Sequence, residues 1–419
     1  MVSSNTIDDM IEKAIFDSAQ PVKESYQQRI RDMASKEGIF LASIQGLYEA
    51  AAKGLYKNKT VPAINVRGLT YQVARAIFRM ALKHKVGMLI FEIARTEMAY
   101  TDQPAADYVT SVLAAAIKEG FKSPVFIQGD HFQLNAGRFA ADPRKEVTVI
   151  EDSTREAINA GFLNIDIDSS TLVDLSKPTI DEQQKDNYTV AADMTKFIRN
   201  MEPEGVTISV GGEIGEVGKS NTTVEELRAY MKGYRKRLGE GAKGISKISV
   251  QTGTTHGGVV MPDGSIADVK LDFKTIEELG KVAREEYGVG GIVQHGASTL
   301  PDEMFELFPR AGTLEVHLAT GFQNIIYDSP YFPKDLLDKM YSYISDKYAS
   351  EWKAGDTQEQ FIYKTRKKAF GGYKKETWHI PEENLAEIMH ALENQFSLLF
   401  KSLNVTDTVE LVRKYVVTP

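Results

Sequence analysis

The stretch VFIQGDHF (125–132) runs from strand-forming residues into Asp130 and His131. Two later stretches are built the same way: ISVQTGTTHGG (248–258), which carries His256, and GIVQHGAS (291–298), which carries His295. In each, β-branched and apolar residues give way to glycine or polar residues around the histidine, as they do where a strand ends. Strand ends at one face are where a βα barrel gathers its functional groups, and imidazole is the commonest protein ligand for zinc-like ions. The chain has only seven histidines, so three in one setting point to a shared metal site. Three histidines with an open position form the arrangement of a catalytic zinc.

Working outward, eight strand-like runs can be counted: PAINV (62–66), GMLIFEI (87–93), PVFIQGD (124–130), FLNIDID (162–168), VTISVGGEI (206–214), KISVQTG (247–253), GGIVQHG (290–296) and TLEVHLATG (313–321). Most are separated by segments with the apolar stripe of an amphipathic helix, such as YQVARAIFRMALKHK and TVEELRAYMKGYRKRL. Eight strands alternating with helices predict an α/β fold, a (βα)8 TIM barrel. A doubly wound sheet reaches similar numbers, but it places its site at one switch point, whereas these polar residues are spread over many strand ends. Residues 1–59 read as a helical N-terminal extension, 60–330 as the barrel and 331–419 as a helical C-terminal appendage.

Composition narrows the class. With 42% hydrophobic and 26% charged residues the chain fits a globular protein with a large core. A formal charge of −8 argues against nucleic acid as a partner. Cysteine is absent, which excludes disulfides, thiolate metal sites and cysteine nucleophiles. No apolar run approaches the roughly 20 residues of a membrane span, and MVSSNTIDDMIEKAIF does not read as a signal peptide. A cytoplasmic protein is the expectation.

Further candidates sit near the histidines. Glu213, in GGEIG, reads either as a fourth metal ligand or as the start of the next helix. TGTTHGG (252–258) and HGAST (295–299) have the glycine and hydroxyl content of a phosphate cradle. Ser298 is the best single candidate there, its alternative being a plain cap of the helix expected from TLPDEMFELF. A G-x-G-x-x-G at Gly239, Gly241 and Gly244 follows a helix and precedes a strand, the reverse of the dinucleotide-binding order, and is discarded. The basic run Arg366, Lys367 and Lys368, beside Tyr363 and Phe370, reads either as a face toward an anionic substrate or as a solvated helix end.

Taken in order, these motifs resemble the class II (metal-dependent) fructose-bisphosphate aldolases over roughly residues 60 to 330. PAINV resembles the family's first-strand motif and carries Asn65. QGDHF resembles its H-x-D-H, which implies a catalytic Asp130 and a zinc ligand in His131. FLNIDIDSS places Asp168 at the strand-four aspartate, and GGEIGEVG places Glu213 at the metal-associated glutamate. GTTHGG and VQHGAS resemble the two later zinc-histidine motifs, giving His256 and His295. Gly257, Gly296, Ala297 and Ser298 fall at phosphate-loop positions. The resemblance implies Zn2+ or another divalent metal, allows a monovalent cation as well, and favours a homodimer or homotetramer.

The departures from the pattern are specific. The loop after the fifth strand, GKSNTT (218–223), lacks the family's acids, and Glu216 is the nearest substitute. The last-strand N-x-D-T becomes His317, Leu318, Ala319 and Thr320, in which Thr320 still suits a phosphate contact. The strand-two serine becomes Ala94, beside Glu92 and Arg95, which are expected to face the barrel mouth. The expected activity is cleavage of fructose 1,6-bisphosphate to dihydroxyacetone phosphate and glyceraldehyde 3-phosphate. Alternatives are another phosphorylated ketose, such as tagatose 1,6-bisphosphate, or a non-catalytic aldolase-like subunit.

Overall fold

The computed structural model describes residues 6–215, 220–253, 261 and 271–417. Eight parallel strands close into a barrel in chain order: β1 (Val61–Asn65), β2 (Ile90–Ala94), β3 (Phe126–Gln133), β4 (Asn164–Asp168), β5 (Ser209–Gly215), β6 (Lys247–Val250), β7 (Ile292–Gln294) and β8 (Glu315–Leu318). The ring is shut by β1 on β8, with Ala63 opposite His317. The predicted barrel is therefore the observed fold, with helical segments before and after it.

Alternation along each strand divides the labour. On β2, Glu92 points to the interior while Phe91 points outward, its ring 4.9 Å from Phe78 of the helix Thr70–Lys83. Burying an aromatic ring of this kind contributes roughly 1.5–3 kcal/mol. The helices 7–16 and 20–36 pack on each other and on Ala105–Glu119. The long helix Glu382–Ser402 lies against both Thr70–Lys83 and Thr320–Tyr327, and Arg79 pairs with Glu393 across that contact at 2.5 Å.

Barrel interiors are ordinarily filled with branched apolar side chains. Here a polar layer crosses the centre. Lys247, wholly buried at the start of β6, reaches Glu315 at 2.5 Å, Gln128 at 2.6 Å and Asp166 at 2.9 Å. Tyr48, from the helix Gln45–Ala52, donates its hydroxyl to the same Glu315. The layer needs room, and β5 supplies it: a Cβ on Gly211 would lie 2.3 Å from Asp166 Oδ1.

Two expectations shift. The third strand was expected to end at Asp130, yet β3 continues to Gln133 through a register shift between Gly129 and Phe132. His131 sits in that shift with φ +43°, a left-handed conformation uncommon for a residue with a Cβ. The helix expected from TLPDEMFELF breaks into a 3-10 turn, Asp302–Met304, and one turn at Leu307–Arg310. Pro301 and Pro309 lack the N–H that a continuous helix requires.

Candidate active site

The bulge in β3 decides the geometry. It turns His131 toward the end of β4, where Asp168 Oδ2 lies 3.0 Å from Nδ1. Asp168 is itself held by Ser170, through the hydroxyl at 2.7 Å and the backbone N–H at 3.1 Å, and by Gln133. With Nδ1–H given to Asp168, a neutral His131 ring would present its lone pair at Nε2, the orientation a carboxylate imposes on metal-binding imidazoles. Glu213, on β5, brings Oε2 to 3.4 Å from the same ring.

His295 follows β7 and is 6% exposed. Its ring centroid is 4.5 Å from that of His131 and 4.1 Å from that of His317 on β8. His317 places Nε2 2.6 Å from Glu315, and Nδ1 3.0 Å from Glu92 and 3.3 Å from Asp130. The three imidazoles therefore form one row across the mouth, flanked by carboxylates from five strands.

The charges show what the row demands. Burial pushes Glu213 up to about 8, and Asp168 beside it acts in the same direction. Burial also lifts Glu92 well above the usual carboxylate range despite His317. Asp130 goes the other way: burial opposes ionisation, but His131, His317 and His295 together hold it well below its ordinary value. Burial disfavours the imidazolium of His131 and of His317, yet Asp130 and Glu213 around the first, and Glu92 and Asp130 around the second, raise both well above a free histidine.

Asp130 Oδ1 and His317 Nδ1 face each other, buried, at 3.3 Å, and Glu92 stands 3.0 Å from the same nitrogen. Ligand atoms of His131, Glu213 and His295 lie within 4.8 Å of one another, as do those of Asp130, His295 and His317. This donor set fits a divalent cation.

The cavity above the row encloses about 320 Å3. Asn65, Glu92, Asp130, His131, Gly296, Ser298, His317 and Thr320 all line it. Asn65 donates to Glu97 at 2.6 Å, and Arg67 binds the other oxygen of Glu97 at 2.7 Å while reaching Thr320 at 3.3 Å.

The comparisons with known proteins bear on this site directly. The family model described as fructose-bisphosphate aldolase class-II matches residues 42–380. The chain belongs to this family. Class II aldolases are generally metal-dependent, in keeping with the donor set. No curated protein matches the chain in sequence. Among solved structures it is similar to the YdjI aldolase of Escherichia coli K12, with TM-score 0.53 and 14% identity over 88% of this chain and 100% of that one. The fructose-bisphosphate aldolase of Campylobacter jejuni gives TM-score 0.50 and 15% identity over 88% and 96%. The fructuronate-tagaturonate epimerase UxaE of Cohnella laeviribosi gives 0.61 and 11% over 91% and 86%. At such identities the likeness is one of fold.

Some class II aldolase positions fall elsewhere than expected. His256, Gly257 and Glu216 lie outside the described residues. Arg95 does not line the cavity; it begins the helix Arg95–Tyr100, and the charges that act on it are Arg138 and Glu146. Ala297 is wholly buried behind the lining. Ser298 caps no helix of its own; its hydroxyl accepts the N–H of Ala319 at 2.6 Å, at the start of Thr320–Tyr327.

The sequence reading passed over Glu97, Arg67 and Glu315. For Glu315 a signal was available: Gln128 and Asp130, Asp166 and Asp168, and Glu315 and His317 each recur at spacing two within buried strands, which sends both members of a pair to the same interior, whereas Glu97 and Arg67 lie outside the strands and have no such pattern.

Proposed function

We propose that the chain is a metal-dependent aldolase that cleaves a phosphorylated ketose, with fructose 1,6-bisphosphate as the first substrate to test. The observation that carries the reading is the convergence of His131, His295 and Asp130 on one cavity, with a Glu213 oxygen within 4.8 Å of the ligand atoms of both histidines, in a chain of the class II aldolase family. His131, Glu213 and His295 would hold the ion, joined by His256 on the family pattern. When bound, a divalent cation acts there as a Lewis acid toward the ketose carbonyl.

The remaining work belongs to the side chains. Asp130 is ionised, as a proton acceptor must be, and takes the proton from the hydroxyl of the half that leaves as an aldehyde. The bond between the two halves breaks and its electron pair stays with the ketone half. Asp168 keeps the His131 ring in place. Gly296, Ser298 and Thr320 supply contacts suited to a phosphate group. On the same reading the ion is Zn2+, the setting is cytoplasmic carbohydrate metabolism, and the assembly is a homodimer or homotetramer.

The test is a coupled cleavage assay on a panel of ketose phosphates, tagatose 1,6-bisphosphate included, alongside keto-uronates followed by NMR. Aldehyde release from a ketose phosphate is expected. Epimerisation of a keto-uronate without carbon–carbon cleavage would replace this reading. Asp130→Ala should keep its metal and lose about 100- to 10,000-fold in kcat; unchanged turnover would remove Asp130 from the mechanism.

A further inference from the structure

The extra residue in β3 changes which of its side chains face the barrel interior. Gln128 and Asp130 point inward, to Glu315 and to His317, and Gly129 between them points outward. Unbroken alternation would send Gln133 outward with Gly129. Instead β3 takes three steps, Gly129 to Phe132, where β4 takes two, Ile165 to Ile167. Parity reverses at that point. Phe132 turns outward and is wholly buried, and a Cβ on Gly129 would stand 2.3 Å from its ring, so the glycine makes the room. Gln133, opposite Asp168, turns inward and lines the same cavity as Asp130 and His131.

We infer that Gln133 is a specificity-determining residue whose amide oxygen accepts a hydrogen bond from an uncharged hydroxyl of the substrate, the one next to the hydroxyl that Asp130 deprotonates. The inference deepens the aldolase reading and rests on it for the identity of the reaction. The amide is held in one sense: Asp168 Oδ2 accepts from Nε2 at 2.5 Å, so the nitrogen is the end that faces β4. Asp168 is itself fixed by His131 and by Ser170. The other end of the amide, Oε1, accepts no hydrogen bond from a described residue. The side chain is exposed in the cavity, so a ligand reaches it without rearrangement. An acceptor oriented in advance needs little further ordering when the ligand arrives. An amide oxygen accepts only, and the carboxylate of Asp168 behind it disfavours a second anion, so a neutral donor suits the place. Asp130 and Gln133 lie on the interior side of one strand, which suits them to adjacent hydroxyls of one carbon chain.

The experiment compares the full-length, metal-loaded protein with Gln133→Met, which keeps the length of the side chain and removes the oxygen. Calorimetry measures binding of glycerol 3-phosphate, an analogue of the aldehyde half, and of propane-1,3-diol phosphate, which lacks only the central hydroxyl. Cleavage assays compare kcat/KM for fructose 1,6-bisphosphate and for its 5-deoxy analogue. In the wild type both ratios should favour the hydroxylated compound by about three- to tenfold, the worth of one hydrogen bond. In Gln133→Met that preference should disappear. A merely structural role, acting through Asp168 on the metal, would weaken both members of each pair alike and leave the preference in place. That result would overturn the inference, as would equal affinity of the wild type for the two phosphates. A binding preference that depends on Gln133 in a protein that cleaves neither ketose would uphold the role of the residue and overturn only the reaction.

Discussion

At the residue scale the site depends on how each imidazole is held. Asp168 fixes His131 from one side, so Asp168→Asn should leave the ring present but badly oriented. A 10- to 100-fold weaker metal Kd is expected by competition with a chromophoric chelator; an unchanged Kd would show that Asp168 is not the orienting group. Protonation sets the sign of the pH effect. Glu213 is raised to about 8 and therefore carries a proton below that pH, as do the raised histidines His131 and His317. A cation must displace those protons, so metal affinity should rise as pH climbs through 8, with proton release visible in calorimetry in buffers of different ionisation enthalpy. Affinity that is flat or falling over that interval would contradict the charge assignment.

At the element scale the strands are tied together by Lys247, which spans β3, β4, β6 and β8. Lys247→Met would leave Asp166 and Glu315 buried without their counter-charge. Breaking such a pair by removing one partner costs about 3–5 kcal/mol, to be read from urea unfolding of the metal-free protein. Gly211→Ala tests the same layer sterically, since its methyl would meet Asp166 Oδ1; a loss of about 1–3 kcal/mol is expected. The eight strands were legible because their apolar composition and the helical stripes between them are local signals. The bulge at His131 was not, because a register shift is a relation between two strands and leaves no mark on either alone. The failed helix after Ser298 was misread for a different reason: its apolar spacing outweighed two prolines that do carry a local signal.

At the scale of the whole molecule, barrel closure brings β3 and β8 across the mouth from each other, which is why His317 reaches Asp130 although the two are as far apart in sequence as Gln128 and Glu315, 187 residues. That His131, Glu213 and His295 gather at one place was readable from motif and strand end. The role of the C-terminal segment was left open between a substrate-facing run and a solvated one. The structure divides it, with Lys367 at the cavity and its two neighbours bound to the scaffold. Among the described residues no helix is long and apolar enough to cross a membrane. On the proposed reading one divalent cation, held by these side chains, is required for cleavage of a phosphorylated ketose. The most direct measurement is the rate of fructose 1,6-bisphosphate cleavage by protein stripped of metal and then titrated with Zn2+. Activity should be absent in the stripped protein and return to its full value at about one ion per chain; cleavage at full rate without any metal would contradict the account.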